Sequence, residues 1–373
     1  MRKQSYHVQF KDYHLSQSCT MIYQKVRVMC RLNCAYSGRA CLRKLAYLCS
    51  VALLLTLCNI AQAEEPAQPT SNFKLGGYSS ASIVVPRKGT TAFDLNEISL
   101  LLSWENEGRF KFFSELELER PISWNGNEHF ESNNHYLDLE RLYIDYNHSD
   151  RLNIRTGRFL TPAGRWNLLH APPLVWTASR PLATSLLFPN GINGLMMFGA
   201  TPLKLGAQEQ TLEYSFYVEA LKDQIHERGE LVYKDVAGAQ FRTGNQFNLG
   251  LSLATLTEDR PGNPEYRMLG LDFITHINGW ELSGEGFQRF TSNGKDGGSG
   301  AFLQSAAPLG NHWYWLTRIE TFERPQEISG ERWVLGVTKR VAPAQLLKME
   351  FVGGSADFND TPRGFVASFA VLF

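Results

Sequence analysis

Most of this chain alternates apolar and polar residues with a period of two, and that constrains its fold more than any other feature. The clearest stretch puts Leu212, Tyr214, Phe216, Val218 and Ala220 on one face, with Glu213, Ser215, Tyr217 and Glu219 on the other. Phe247, Leu249, Leu251 and Leu253 alternate with Asn248, Gly250, Ser252 and Ala254. Period two is the signature of strands with two unlike faces, and amphipathic helical spacing is scarce. Sixteen such segments can be placed: 73–85, 92–104, 109–120, 135–146, 151–160, 193–200, 211–221, 237–243, 246–256, 265–277, 280–290, 300–307, 313–324, 331–340, 346–353 and 363–373. In 135–146 the alternation slips between Glu140 and Arg141, which predicts a bulge.

The connections alternate in length. Short ones, such as 105–108, 147–150, 244–245, 278–279, 308–312 and 341–345, take turns with longer ones; 201–210 is the long member of the short set. Tight turns on one rim and long loops on the other predict a 16-stranded antiparallel transmembrane β-barrel, with 18 strands possible. A soluble sandwich shows the same periodicity. Three features favour the barrel: charged faces that must point inward, the loop asymmetry, and a terminal strand ending in Phe373. Trp104, Tyr146, Trp280, Trp313 and Trp315 adjoin short turns, where an interfacial aromatic girdle belongs. A terminal Phe resembles the signal read by the barrel-assembly machinery, an expected partner alongside outer-membrane lipid.

Composition divides the chain at Ala63. All six cysteines precede it, together with nine Lys+Arg and one acid, leaving the remainder with 28 basic and 36 acidic groups, or −8. Arg43 and Lys44, the apolar run 45–57 and Ala61-Gln62-Ala63 read as a signal peptide cleaved after Ala63. The apolar run is short for a membrane-spanning helix. Met21 or Met29 would serve as the start if residues 1–28 are a mis-called extension. Residues 64–373 then form one exported, cysteine-free barrel domain, and no basic excess suggests nucleic acid.

The connection 161–192 stands apart. It has 32 residues, no acid, two arginines and many apolar side chains that need burial. It is predicted to fold into the lumen; packing outside, against a neighbouring subunit, is the alternative. Inward folding makes Arg158, Arg165, His170 and Arg180 the expected constriction. The faces opposite the apolar ones give the expected wall: Arg155, Glu115, Glu117, Glu119, Glu213, Glu219, Asp272, Glu285, Arg318, Glu320, Arg332, Arg340 and Lys348. Because the loop's only fixed charges are positive, a weak anion preference is expected.

Segment 140–164, ERLYIDYNHSDRLNIRTGRFLTPAG, resembles the phosphate-selective porin O and P family, on Gly157, Arg158, Phe159, Pro162 and Gly164. The resemblance implies a homotrimeric channel of 16 or 18 strands whose third loop enters the pore. Phosphate selectivity in that family depends on a lysine-rich constriction, and residues 161–192 contain no lysine. The function expected is passive diffusion of small hydrophilic solutes or ions. An oxyanion-specific channel, or a non-conducting barrel acting as enzyme or adhesin, are the alternatives. No nucleophile elbow, zinc-protease motif or Walker loop is present, no cofactor or metal is expected, and His276 with Asp272 is the one pair that could accompany a serine.

Overall fold

The computed structural model describes residues 72–373 apart from 106, 127–128, 133–134, 206–207, 223–230, 245–246, 326 and 359–360. The expected signal peptide and its cleavage point lie outside the described residues.

Sixteen strands follow one another: β1 (Phe73–Pro86), β2 (Ala92–Glu105), β3 (Phe110–Asn125), β4 (Tyr136–Ser149), β5 (Leu152–Leu160), β6 (Gly191–Leu205), β7 (Gln208–Leu221), β8 (Tyr233–Thr243), β9 (Phe247–Glu258), β10 (Glu265–Ile277), β11 (Trp280–Thr291), β12 (Asp296–Gly310), β13 (Trp313–Arg324), β14 (Ile328–Ala342), β15 (Gln345–Gly354) and β16 (Gly364–Leu372). Each pairs antiparallel with its sequence neighbours, and β1 pairs with β16 from Tyr78↔Leu372 to Pro86↔Gly364, closing the barrel. Closure removes every free edge. The last residue completes the seam: Gly77 and Phe373 exchange backbone hydrogen bonds of 2.8 and 2.9 Å. A side chain at Gly77 would meet the Phe373 ring, so glycine is what lets that ring lie against β1.

The faces are inverted relative to a soluble protein. Along β13, Trp315 and Ile319 are exposed on the outside, whereas Arg318 is fully buried and Glu320 nearly so. β10 repeats the pattern, with Leu269 and Leu271 outside and Met268 and Asp272 inside. The girdle residues stand where the short turns predict: Trp104 packs on Phe73 and Tyr146 on Phe110, beside the β2–β3 and β4–β5 connections. Asn278 and Gly279 both have positive φ, the conformation that two-residue hairpins require to match strand twist.

The predicted bulge is present. Register shifts so that Glu115 faces Arg141 and Leu116 faces Leu139, leaving Glu140 as the extra residue. A second bulge falls at Asn96, between Glu97↔Ser80 and Leu95↔Ala81. Connection 201–210 is not long after all. Pro202, which counts against a strand by pattern, is accommodated in β6 opposite Thr211, and the strands run on until only 206–207 separate them. Likewise β12 begins at Asp296, four residues before its predicted start, because the glycines at 297, 298 and 300 carry no alternation.

Candidate pore constriction

The chain between β5 and β6 enters the lumen. It contains a four-residue helix, α1 (Trp166–Leu169), and two short 3-10 turns, Pro172–Leu174 and Leu182–Thr184. Its apolar side chains need an apolar partner, and the lumen supplies one on one side. Leu182, Ala183, Leu187 and Phe188 are essentially fully buried against wall residues that include Met268, Phe287, Phe302 and Phe322. On this half the inner face therefore carries an apolar patch among its charges, which the charge-inside expectation did not foresee.

Around that core the wall grips the loop's backbone. Glu285 Oε1 accepts from the Arg165 and Trp166 amides at 2.9 and 2.6 Å. Glu350 accepts from the amides of Ala178 and Ser179 at 2.5 and 3.2 Å and from the Ser179 hydroxyl at 2.9 Å. Glu320 accepts from the Leu182 amide at 2.7 Å while pairing with Arg318 at 3.0 Å and Arg332 at 2.7 Å. Loop carbonyls are taken by cations: Lys348 Nζ donates to Pro172 and Thr177 at 2.7 and 3.0 Å, Arg318 donates to Ser179 at 3.0 Å, and Arg332 donates to Arg180. Buried backbone polar groups must be satisfied, and these side chains replace the water that an ordinary loop would use. Gly164 enables the entry: its φ is +64°, and a Cβ there would stand 2.1 Å from a Glu285 oxygen.

Five expected wall residues, Glu285, Arg318, Glu320, Arg332 and Lys348, are thus loop anchors. The expected constriction residues divide. Arg180 turns into the loop, where Nη2 donates to Asn167 Oδ1, Asn190 Oδ1 and the Thr184 carbonyl at 3.0, 2.8 and 2.6 Å. Arg165 lies 3.6 Å from Asp272. His170 stands 3.6 Å from Glu140, and burial, then the Arg180 charge, lowers its pKa to about 4. Arg158 borders an outer cavity of about 410 Å³ together with Asp138, Glu140 and Glu219.

The remaining wall residues pair with neighbours or border the space the loop leaves. Arg155 makes two hydrogen bonds to Asp145, at 2.7 and 2.9 Å, and covers the Tyr143 ring. With Glu213, Arg141 and Arg242 it borders an inner cavity of about 490 Å³. Glu219 accepts from the Val236 amide at 3.2 Å. Arg340 sits 5.8 Å from the Trp176 ring at the inward tip of the loop. Glu115 pairs with Arg141 and accepts from Tyr78 at 2.8 Å. Glu117 and Glu119 border a third cavity, of about 400 Å³, between the loop and the β1–β4 wall.

Sequence reasoning missed Glu97, Asp138 and Glu140, which border that same cavity. Their signal was present. The apolar rhythm steps by three from Leu95 to Ile98 and from Leu139 to Leu142, and each step turns an extra polar residue inward. It also missed the buried cluster at the outer end of the loop, where Glu258 Oε1 accepts from Arg289 and Arg324 at 2.7 and 3.1 Å. His276 stands 3.3 Å from Glu281, the nearer carboxylate for the role imagined for Asp272.

No family model matches the chain. An uncharacterized protein of Aquifex aeolicus is 30% identical over 145 residues, 38% of this chain, and the match spans about a third (32%) of that relative. Solved structures with the same fold include an anion-selective porin from Comamonas acidovorans (13% identity, TM-score 0.53, 81% of this chain and 98% of that one). The trimer form of OmpT, an outer membrane protein of Vibrio cholerae, has 6% identity and a TM-score of 0.54 over 82% of this chain and 100% of that one. The outer membrane channel DcaP of Acinetobacter baumannii has 9% identity and a TM-score of 0.51 over 83% and 99%. At such identities the likeness concerns fold, and the chain has the fold of outer-membrane porins.

Proposed function

We propose that this chain is an outer-membrane channel through which small hydrophilic solutes or ions diffuse down their own gradient. The observation that carries this reading is the combination of an apolar outer face with a lumen in which the loop leaves cavities. A plugged barrel would need no cavities above, beside and below the loop. Cavities of about 410, 400 and 490 Å³ lie there, bordered by charged side chains. The apolar outside fits lipid and subunit contact alike, and we include a homotrimer in the proposal. Phe373, exposed at the seam, is offered as the element recognised during barrel assembly, after export by a signal peptide ending at Ala63.

The expected weak anion preference rested on Arg165 and Arg180. Arg165 now has Asp272 beside it, and Arg180 is bound within the loop. Arg158, the other expected constriction arginine, borders the outer cavity beside Asp138, Glu140 and Glu219. Single-channel recording in planar bilayers, with liposome swelling in sugars of increasing size, tests the proposal. Stepwise ohmic conductance and size-limited swelling are expected. A folded barrel that neither conducts nor swells liposomes refutes it and favours an adhesin or enzyme.

A further inference from the structure

The channel reading can be taken further, because the cavity between the loop and the β1–β4 wall has a definite chemistry. We propose that it is a passage selective for small cations and cationic solutes, with Glu97, Glu117, Glu119, Asp138 and Glu140 setting that selectivity. The inference rests on the channel reading above.

All five carboxylates border one cavity, against two fixed cations, Arg180 and Lys348. His170, the remaining titratable base there, is neutral at ordinary pH. Arg158 adds a third cation beside Asp138 and Glu140 in the outer cavity, against the five carboxylates. Arg120, exposed on β3 next to Glu119, flanks the cluster. Both cavity cations are engaged by the docked loop: Lys348, on the wall strand β15, points at the Pro172 and Thr177 carbonyls, and Arg180, in the loop, at Asn167, Thr184 and Asn190.

Register sharpens the point. Glu97 lies directly opposite Glu119, and Glu117 directly opposite Asp138. Like charges facing each other across strands are destabilising, and a barrel that only needed a stable wall would not place two such pairs side by side. The two bulges described above put Glu97 and Glu140 on this face.

A separate observation comes from Glu97. It is 8% exposed, and its Oε1 has no hydrogen-bond partner although it is buried at the edge of the cavity. An unsatisfied buried acceptor is costly, and a hydrated cation in transit supplies the missing donor and charge. Among the described residues no three acids or histidines converge as a metal site. The arrangement therefore attracts cations without chelating them, which is what conduction requires.

The test is the reversal potential of the full barrel in planar bilayers under a KCl gradient at pH 8. Wild type is expected to pass K⁺ in preference to Cl⁻. In a Glu97→Gln, Glu119→Gln, Asp138→Asn variant the permeability ratio should fall toward unity. A unit charge at about 7 Å in water raises local counter-ion density and lowers co-ion density by about threefold each, so each replacement should lower the ratio by up to about sevenfold. A Cl⁻ preference in wild type, or an unchanged ratio in a folded variant, overturns the inference while the channel reading stands. Should the variant fail to fold, wild type alone decides: spermine at low salt should block the current and inositol hexaphosphate should not, and the reverse overturns the inference. Absence of any conductance overturns the channel reading, and this one with it.

Discussion

Replacing Glu320 by Gln removes one negative charge from a site shared by two buried guanidinium groups. Arg318 and Arg332 pair with this carboxylate at 3.0 and 2.7 Å, and all three side chains are essentially fully buried. The same carboxylate accepts the Leu182 amide. Breaking a buried ion pair from one side costs about 3–5 kcal/mol, because the partner is left charged and dry. Arg318 keeps Thr177 and Ser179, and Arg332 keeps the Arg180 carbonyl, which argues for the lower end, about 3 kcal/mol. That amounts to about a hundredfold in the ratio of docked to undocked loop. The strands retain their ladders, so the loss should appear in the loop and not in the barrel. Hydrogen exchange of the folded barrel in detergent, read on peptides covering 177–183, measures it directly. Exchange should accelerate about a hundredfold there and stay unchanged in β13 and β14. Unchanged loop protection would refute the anchoring role of Glu320, and equal loosening of the strands would refute the separation of loop from wall.

His170 makes docking sensitive to acid. Its pKa in the docked loop, about 4, lies below the free value of 6.5, so the undocked state binds the extra proton. Docking is therefore unaffected above about pH 6.5 and is weakened progressively toward pH 4, by at most about 3 kcal/mol. Open-channel current noise should rise between pH 7 and 4.5 in wild type and much less in His170→Asn; equal rises would contradict this. Leu271, exposed on the outside at the middle of β10, should tolerate Arg poorly, with a loss of about 2–4 kcal/mol in urea titrations in phospholipid vesicles. An unchanged midpoint would mean that this face does not meet lipid.

Strand positions were legible because period two survives any assignment of inside and outside. β10 and β13 run over the predicted spans 265–277 and 313–324. The inward course of 161–192 was legible for a different reason, since Leu182, Leu187 and Phe188 had to be buried somewhere. The roles of the wall charges were not legible. Alternation assigns Glu285 and Lys348 to the lumen, but whether each meets water or the loop backbone depends on a partner more than a hundred residues away, the Arg165 amide 120 residues from Glu285 and the Thr177 carbonyl 171 residues from Lys348. Glu97 was lost to a bulge, which shifts the face by one residue at a place where a strict alternation rule takes no notice.

The anchoring of the loop also bears on the order in which the molecule is assembled. Ala178 and Glu350 are 172 residues apart in sequence. Until β15 has joined the sheet, the 178 and 179 amides have no carboxylate to meet. Until β13 is in place, Leu182 has none either. Contacts of such long sequence separation form late, after the chain entropy of closing the intervening segment has been met. The narrow part of the lumen is therefore defined only when the barrel is nearly closed, and a chain arrested before its last strands would hold its most apolar loop uncovered.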